Sequence, residues 1–356
     1  MADYHLERLD EDNAAAWEGL RIASPEGTLF HSLKWMRIAE RRAGAPWCYH
    51  LLYKNESVCG LFPLAEHTIY GYRGFVPASF PMTLNAVIKK CDDPHLLDTV
   101  IDELRRMYWN RKRISFVCTA SLRPELFETI TTHPVFSYPF SRYYEGEGEM
   151  ILDLRSHPPE AIWDSFTARS AQRKYIRRFE ENGFSITEVR SEAELRRFYD
   201  YYSENIAHIG GTHSDYSHFS DMWASLHKEI RISLLSKGSI IAGGLLQLRD
   251  LPRKTVYAAY LSLNRNLPNT YHPTVYLFWE AINWAHENRF ERLSFGREYV
   301  QDLEERNPRA RNKRDFGARF VPMFSRIVPL TRLFAMGIRY TYHGDASDER
   351  HQYPAL

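Results

Sequence analysis

Cysteine is scarce in this sequence. Four occur in 356 residues, at Cys48, Cys59, Cys91 and Cys118, and no two have CxxC spacing. No histidine is spaced so as to suggest a zinc site, and none is expected. So few thiols fit a reducing, cytoplasmic setting. Long apolar runs are missing too: none reaches about 18 residues, so no membrane-spanning helix is expected. The opening MADYHLERLDEDN is polar and acidic, unlike a secretory signal. The net charge is only +1, so no global field recruits a polyanion. No Ser-His-Asp or Cys-His arrangement is visible.

What is present is the composition of a globular chain: 44% hydrophobic, 26% charged and 14% aromatic residues. The length is comfortable for two domains. Charge is unevenly placed. Residues 1–150 hold 17 Lys/Arg against 20 Asp/Glu, whereas residues 151–356 hold 29 against 25. The cations of the second half are clustered. RSAQRKYIRRFEENG runs from Arg169 to Gly183, and RNPRARNKRDFGAR adds Arg306, Arg309, Arg311, Lys313, Arg314 and Arg319. On one helix, Arg169, Arg173 and Arg177 share a face, with Lys174 and Arg178 beside it. Such a face is either solvated and offset by neighbouring acids, or neutralised by a phosphate-bearing ligand.

The chain reads as two similar halves. In the first, TLFHSLKWMRIAERR predicts a helix after an extended start. WCYHLLYKNESVCGLFPLAEH predicts a hairpin about a KNES turn, PHLLDTVIDELRRMYW an amphipathic helix, and RISFVCTA a strand. In the second, EAIWDSFTARSAQRKYIRRFEENG predicts one helix stopped at Gly183. FSITEVR predicts a strand. Ser191 and Glu194 form a capping-box signature for the next helix. ISLLSKGSIIAGGLLQLR predicts a second hairpin, followed by the strand TVYAAYLSLN, the helix YHPTVYLFWEAINWAHENRF and a final strand, ERLSFGRE. SHPPE breaks the pattern between the halves, near residues 145–160. The expected domains are 1–150, 151–330 carrying the active cleft, and a terminal helix with a flexible tail over 331–356. The fold class is α/β, with mixed α+β sheets.

This order of elements resembles a GNAT-type acyltransferase domain, and two such units in tandem resemble the FemAB family of aminoacyl and acyl transferases. The resemblance is carried by TLFHSLKWMRIAE with Trp35, by the basic helix ending at Gly183, by IIAGGLLQL, by YLFWEAINWAHENRFERLSFGRE and by KRDFG from Lys313 to Gly317. It spans most of residues 25–325. It implies two tandem GNAT-like domains and transfer of an aminoacyl group from aminoacyl-tRNA to an amine of a peptide-like, peptidoglycan-precursor or natural-product acceptor. Two departures stand out. The long helical hairpin arm of many tRNA-dependent members is absent. The place where acetyl-CoA-using domains carry a Gly-rich anion loop reads NRNLPNTYHPT, with no glycine and two prolines. CoA is thereby disfavoured, and no cofactor or metal is expected.

Direct transfer from an activated ester needs a donor at the oxyanion and a weak base for the amine proton. The resemblance makes Lys313 the first candidate donor; the alternative is a surface lysine in a basic loop. Arg297 can hold a carboxylate or phosphate bidentately, or form an ion pair with Glu298 or Asp302. His213, beside Gly210 and Gly211, is a third catalytic candidate on a loop. Asp215 and Glu298 are further candidates for the base. Arg169, Arg173, Lys174, Arg177, Arg314, Tyr260 and Tyr276 are the substrate-binding candidates. Two other functions fit the sequence: an N-acyltransferase using acyl-CoA or an acyl carrier protein in polysaccharide or lipid modification, and a catalytically silent binding protein.

Overall fold

The structure, a computed structural model, describes residues 4–43, 47–69, 71–78, 86–89, 96–112, 114–121, 144–166, 171–268, 270–299, 303, 307–331 and 333–334. The chain divides into two compact units: residues 1–147 with 322–356, and residues 148–321. The terminal helix and tail expected after residue 331 lie almost wholly outside the described residues.

The first unit contains β1 (Tyr4–Arg8), α1 (Ala14–Ala23), α2 (Leu33–Ala43), β2 (Trp47–Lys54), β3 (Ser57–Ile69), β4 (Tyr72–Pro77), the short β5 (Val87–Ile88), α3 (Leu96–Lys112) and β6 (Phe116–Ser121). Its sheet runs β1-β2-β3-β4-β6. The KNES hairpin turn forms as expected, with Asn55 at φ 55°, a conformation that asparagine tolerates better than most residues. The apolar stripe of α3, with Leu96, Val100, Ile101 and Leu104 buried, packs with Phe75 and Val117 of the sheet. β4 and β6 are parallel and paired only at Gly74↔Phe116 and Phe75↔Val117.

The second unit repeats this plan. β7 (Tyr144–Asp153), α4 (Pro159–Ser165) and α5 (Ala171–Glu181) precede it. The repeat itself is β8 (Ser185–Glu188), α6 (Glu192–His208), α7 (Tyr216–Ser225), β9 (Ile230–Lys237), β10 (Ile240–Asp250), β11 (Thr255–Leu263), α8 (Pro273–Glu287) and β12 (Arg292–Tyr299). α9 (Pro308–Asp315) and β13 (Arg319–Pro329) follow. The sheet order β8-β9-β10-β11-β12 matches that of the first unit, and β7 lies beside β12. From residue 322, β13 belongs to the first unit, where it pairs antiparallel with β6.

Several expectations need correction. The single helix expected from Glu160 to Gly183 is two helices. α4 stops at Phe166, which is extended at ψ 113°, and Arg169 lies outside the described residues. α1 and α7 were not anticipated. The sequence of α7 shows the reason: only Phe219 and Met222 mark its buried stripe beside His218, too few apolar positions to reveal a period. ERLSFGRE is not the final strand, because β13 follows it. β7 occupies part of the stretch taken as a break between halves. Lys313 is buried on a helix, α9, so the alternative of a surface lysine in a basic loop does not hold.

Local chemistry fixes the elements that frame the site. Ser191 Oγ accepts from Glu194 N at 3.3 Å while Ser191 N donates to Glu194 Oε2 at 3.1 Å, so the capping box at α6 is closed. Gly183 ends α5 at φ 71°, with Phe184 N returning to Phe179 O at 3.0 Å. Gly243 and Gly244 on β10 leave no room for side chains. A Cβ on Gly244 would strike the Ser233 carbonyl and the Phe198 ring of α6; one on Gly243 would strike the Ser262 carbonyl. The small-residue strand therefore lets flanking backbone and helices close on both faces. On one face α8 buries Val275, Leu277, Phe278, Ala281, Ile282 and Ala285 against the sheet. On the other, Phe198 and Tyr202 of α6 meet Phe219 of α7 and Tyr260 of β11.

Candidate active site

The site begins with a defect in the sheet. The register of β11 against β10 shifts: Leu246 pairs with Tyr260 and Gln247 with Ala258, leaving Ala259 as a bulge. β11 and β12 are parallel and paired only at Thr255↔Arg292, Val256↔Leu293 and Tyr257↔Ser294. Both strands continue beyond that point, to Leu263 and Tyr299. They therefore part at the bulge, opening a crevice beyond the carboxyl ends of their paired segments. That is where ligands bind in open α/β sheets.

Polar groups collect where the strands part. Glu149 of β7 has its alternate neighbours Met150 and Leu152 buried in the α8-facing core, so its side chain takes the opposite face. There it meets the Ser294 side chain. Burial pushes its carboxyl up from the usual value to about 7, against the pull of Ser294, Arg292 and Lys313. Glu149 Oε1 is buried and has no hydrogen-bond partner among the described residues. Tyr257 lies on the same face, its phenol held well above the ordinary value by burial and then by the charge of Glu149. Gly296, at φ 82°, kinks β12 just beyond, and its N–H donates to Ser294 Oγ at 3.1 Å.

The end of β12 carries the second group. Glu298 is fully buried and accepts from Lys313 Nζ at 2.5 Å and from Arg309 Nη2 at 2.7 Å and Nε at 3.1 Å. Two cations share this one carboxylate. Lys313 is itself buried and lies within Coulombic reach of Glu149. A carboxyl poised near neutral pH and a fixed cation are what amide-forming transfer asks for: a base for the amine proton and a charge for the oxyanion.

The other sequence-derived candidates fall elsewhere. Arg297 stands over the Tyr299 ring at 5.3 Å. His213 is exposed, 3.4 Å from Tyr199 Oη and 3.3 Å from the Ser214 carbonyl oxygen. The buried histidine of that segment is His218, whose Nε2 is 3.0 Å from Tyr260 Oη. Asp215 precedes α7 at its N-cap position without a side-chain cap bond. Tyr276 packs on Phe179 with centroids 5.4 Å apart. Arg173 turns inward. It donates to the Trp163 carbonyl oxygen, with its guanidinium 5.2 Å from the indole. Lys174 and Arg177 are exposed on α5, as are Arg311 and Arg314 on α9. A hydrogen bond from Gln172 to Asp315 brings these two basic helices together. Arg178 reaches the Thr270 carbonyl oxygen and the Tyr175 ring lies tilted against His272 with centroids 3.8 Å apart, so α5 also flanks the glycine-free loop before α8.

Glu149 was missed because YEGEGEM reads as a junction between halves. The signal was present: Glu145, Glu147 and Glu149 alternate against Met150, Leu152 and Leu154, the period of a strand with one acidic face. The same face of the first unit is closed. The Phe116 ring lies over Gly74, and Phe334 stacks on Phe116 at 4.5 Å and edge-on to Tyr72 at 5.5 Å.

Residues 167–304 match the family model described as an acetyltransferase (GNAT) domain. That match covers β11 with its bulge and β12 to its end, while Glu149, Arg309 and Lys313 lie outside it. The chain has a tandem GNAT fold. Among solved structures it is similar to FemX, with TM-score 0.67, 12% identity, and 90% of this chain and 97% of that one covered. It is also similar to L-PGS from Bacillus licheniformis, with TM-score 0.56, 13% identity and 94% and 97% covered. A tandem GNAT protein from the clavulanic acid biosynthesis pathway gives TM-score 0.55, 10% identity and 92% and 98% covered. No curated protein sequence matches the chain. Among the described residues no helix is long and apolar enough to cross a membrane, and no group of acidic, histidine or cysteine side chains could hold a metal ion.

Proposed function

We propose that this tandem GNAT protein transfers an aminoacyl group from aminoacyl-tRNA to an amine, forming an amide, in the crevice of its second unit. The observation that carries the reading is the pairing of a buried, near-neutral carboxyl at Glu149 with the fixed cation Lys313 at the point where β11 and β12 part. The acceptor amine gives its proton to Glu149 as nitrogen attacks the ester carbonyl. Lys313, held by Glu298, stabilises the oxyanion. Collapse breaks the ester bond, Glu149 passes its proton to the departing ribose oxygen, and the amide is left. No cofactor takes part.

The donor assignment draws on the cations. Lys174 and Arg177 on α5 and Arg311 and Arg314 on α9 are exposed, on helices joined through Gln172 and Asp315. The loop before α8 has no glycine, and α8 starts with Pro273 at its first position and no side-chain cap. That favours an external phosphate track over a tight pyrophosphate cradle. The acceptor is a peptide-like or glycan-linked amine. A second reading is N-acyl transfer from acyl-CoA or an acyl carrier protein, favoured by the acetyltransferase description of the matched domain. Binding separates the two. Affinity for aminoacyl-tRNA should fall by orders of magnitude between about 50 and 200 mM salt, and free CoA should not compete. Competition by CoA, with weak salt dependence, would put the second reading first.

A further inference from the structure

The second unit holds a pocket of about 490 Å3 away from the crevice. Register fixes its place. It is lined by Glu188 at the end of β8, Arg231 near the start of β9 and Arg249 near the end of β10. Arg249 pairs with Val256, which pairs with Leu293, so the pocket lies at the end of the sheet where β11 and β12 begin. The crevice lies at the end where they finish. Trp223 and His227, in and just after the last turn of α7, complete the wall.

Two charged side chains there have capacity to spare. Arg231 is closed: it donates to Glu188 at 2.9 Å, to Gln247 at 2.5 Å and to Glu280 at 2.6 Å. Arg249 is different. Among the described residues its side chain donates one hydrogen bond, from Nη2 to the Ile230 carbonyl oxygen at 3.0 Å. No acidic group of the described residues lies within salt-bridge distance of it, and its Nε is buried without an acceptor. Its guanidinium lies 5.9 Å from the Trp284 ring, and Nη1 donates to no described residue, which leaves that edge for a ligand. Glu188, 46% exposed, gives Oε1 to Arg231 and keeps its second oxygen.

We propose that this pocket binds a small zwitterion, an α-amino acid or the end of a short peptide. The carboxylate lies on Arg249, the ammonium near Glu188, and the side chain against Trp223. An arginine with unused donors suits a carboxylate. A simple dianion such as phosphate would face the charge of Glu188, whereas a zwitterion answers both charges. The volume lies within the range of small-molecule clefts, roughly 300–1,000 Å3.

The test is calorimetric titration of the full chain with a panel of free L-amino acids, with acetate and inorganic phosphate as probes of simple anion binding. At least one amino acid should bind. Arg249→Gln should weaken it tenfold or more, and Glu188→Gln should also weaken it. Ala224→Trp, which fills the pocket from an exposed position, should abolish binding while the melting temperature stays put. Glu149→Gln, in the crevice, should leave the affinity unchanged. No heat from any amino acid would overturn the proposal. So would phosphate binding in their place, full binding by Ala224→Trp, or loss of binding in Glu149→Gln, which would move the ligand to the crevice.

Discussion

Replacing Glu149 by glutamine should change how the stability of the protein depends on pH. The carboxyl is raised from 4.5 to about 7, chiefly by burial. Between those values the folded protein keeps a proton that the unfolded chain has released. Stability from this group is therefore full below about pH 4.5 and is lost as pH rises towards 7. The shift corresponds to about 3 kcal/mol at neutral pH and above. Glutamine is nearly isosteric and does not titrate. The stability of Glu149→Gln minus that of the native protein should thus rise by about 3 kcal/mol between pH 4.5 and 8, and be flat beyond. Urea unfolding at several pH values measures the difference, in which the titrating groups not coupled to Glu149 cancel. The same variant should lose roughly 100-fold or more in transfer rate, and native activity should fall on the acid side of about pH 7. Parallel stability profiles for the two proteins would refute the buried carboxyl and with it the proposed base.

Other outcomes follow from the same geometry. Lys313→Met leaves Glu298 buried with one cation, so it should destabilise by about 3–5 kcal/mol and cut turnover more than donor binding. Adding Glu298→Gln should recover stability but not turnover, and paired melts and kinetics check this. Lys174→Ala and Arg177→Ala should each lower the salt slope of tRNA binding by about 1. Arg173→Ala should leave that slope unchanged and lower the melting temperature, because its guanidinium serves the Trp163 carbonyl. Gly244→Ala should cost about 1–3 kcal/mol, since the new Cβ meets a backbone oxygen.

The repeated order of strands and helices was legible because each element carries its own period. The α3 stripe, the two hairpin turns and the Ser191–Glu194 box each announce themselves within a few residues. α7 and the α4–α5 break were not legible, because their buried positions are few or depend on tertiary packing. Lys313 stood out as part of a motif, yet its fixation by Glu298 could not be read: a strand end and a helix 15 residues later must fold together before the pair exists. Likewise Arg173 looked like part of a charged stripe. Only the end of α4 at Phe166 exposes the carbonyl that claims it. Glu149 was hidden for a third reason. A carboxyl acquires its chemistry from burial, and the sequence does not show which acidic residue of a strand will be buried.

The central claim is aminoacyl transfer to an amine, and one measurement meets it directly. The purified protein is incubated with labelled amino acids, ATP, a synthetase-containing extract and a pool of small-molecule amines from the source cells, with and without ribonuclease, and label is followed into new amide products. Product should disappear with ribonuclease and be lost in Glu149→Gln. Product that survives ribonuclease and requires CoA, or that persists in Glu149→Gln, would contradict the claim.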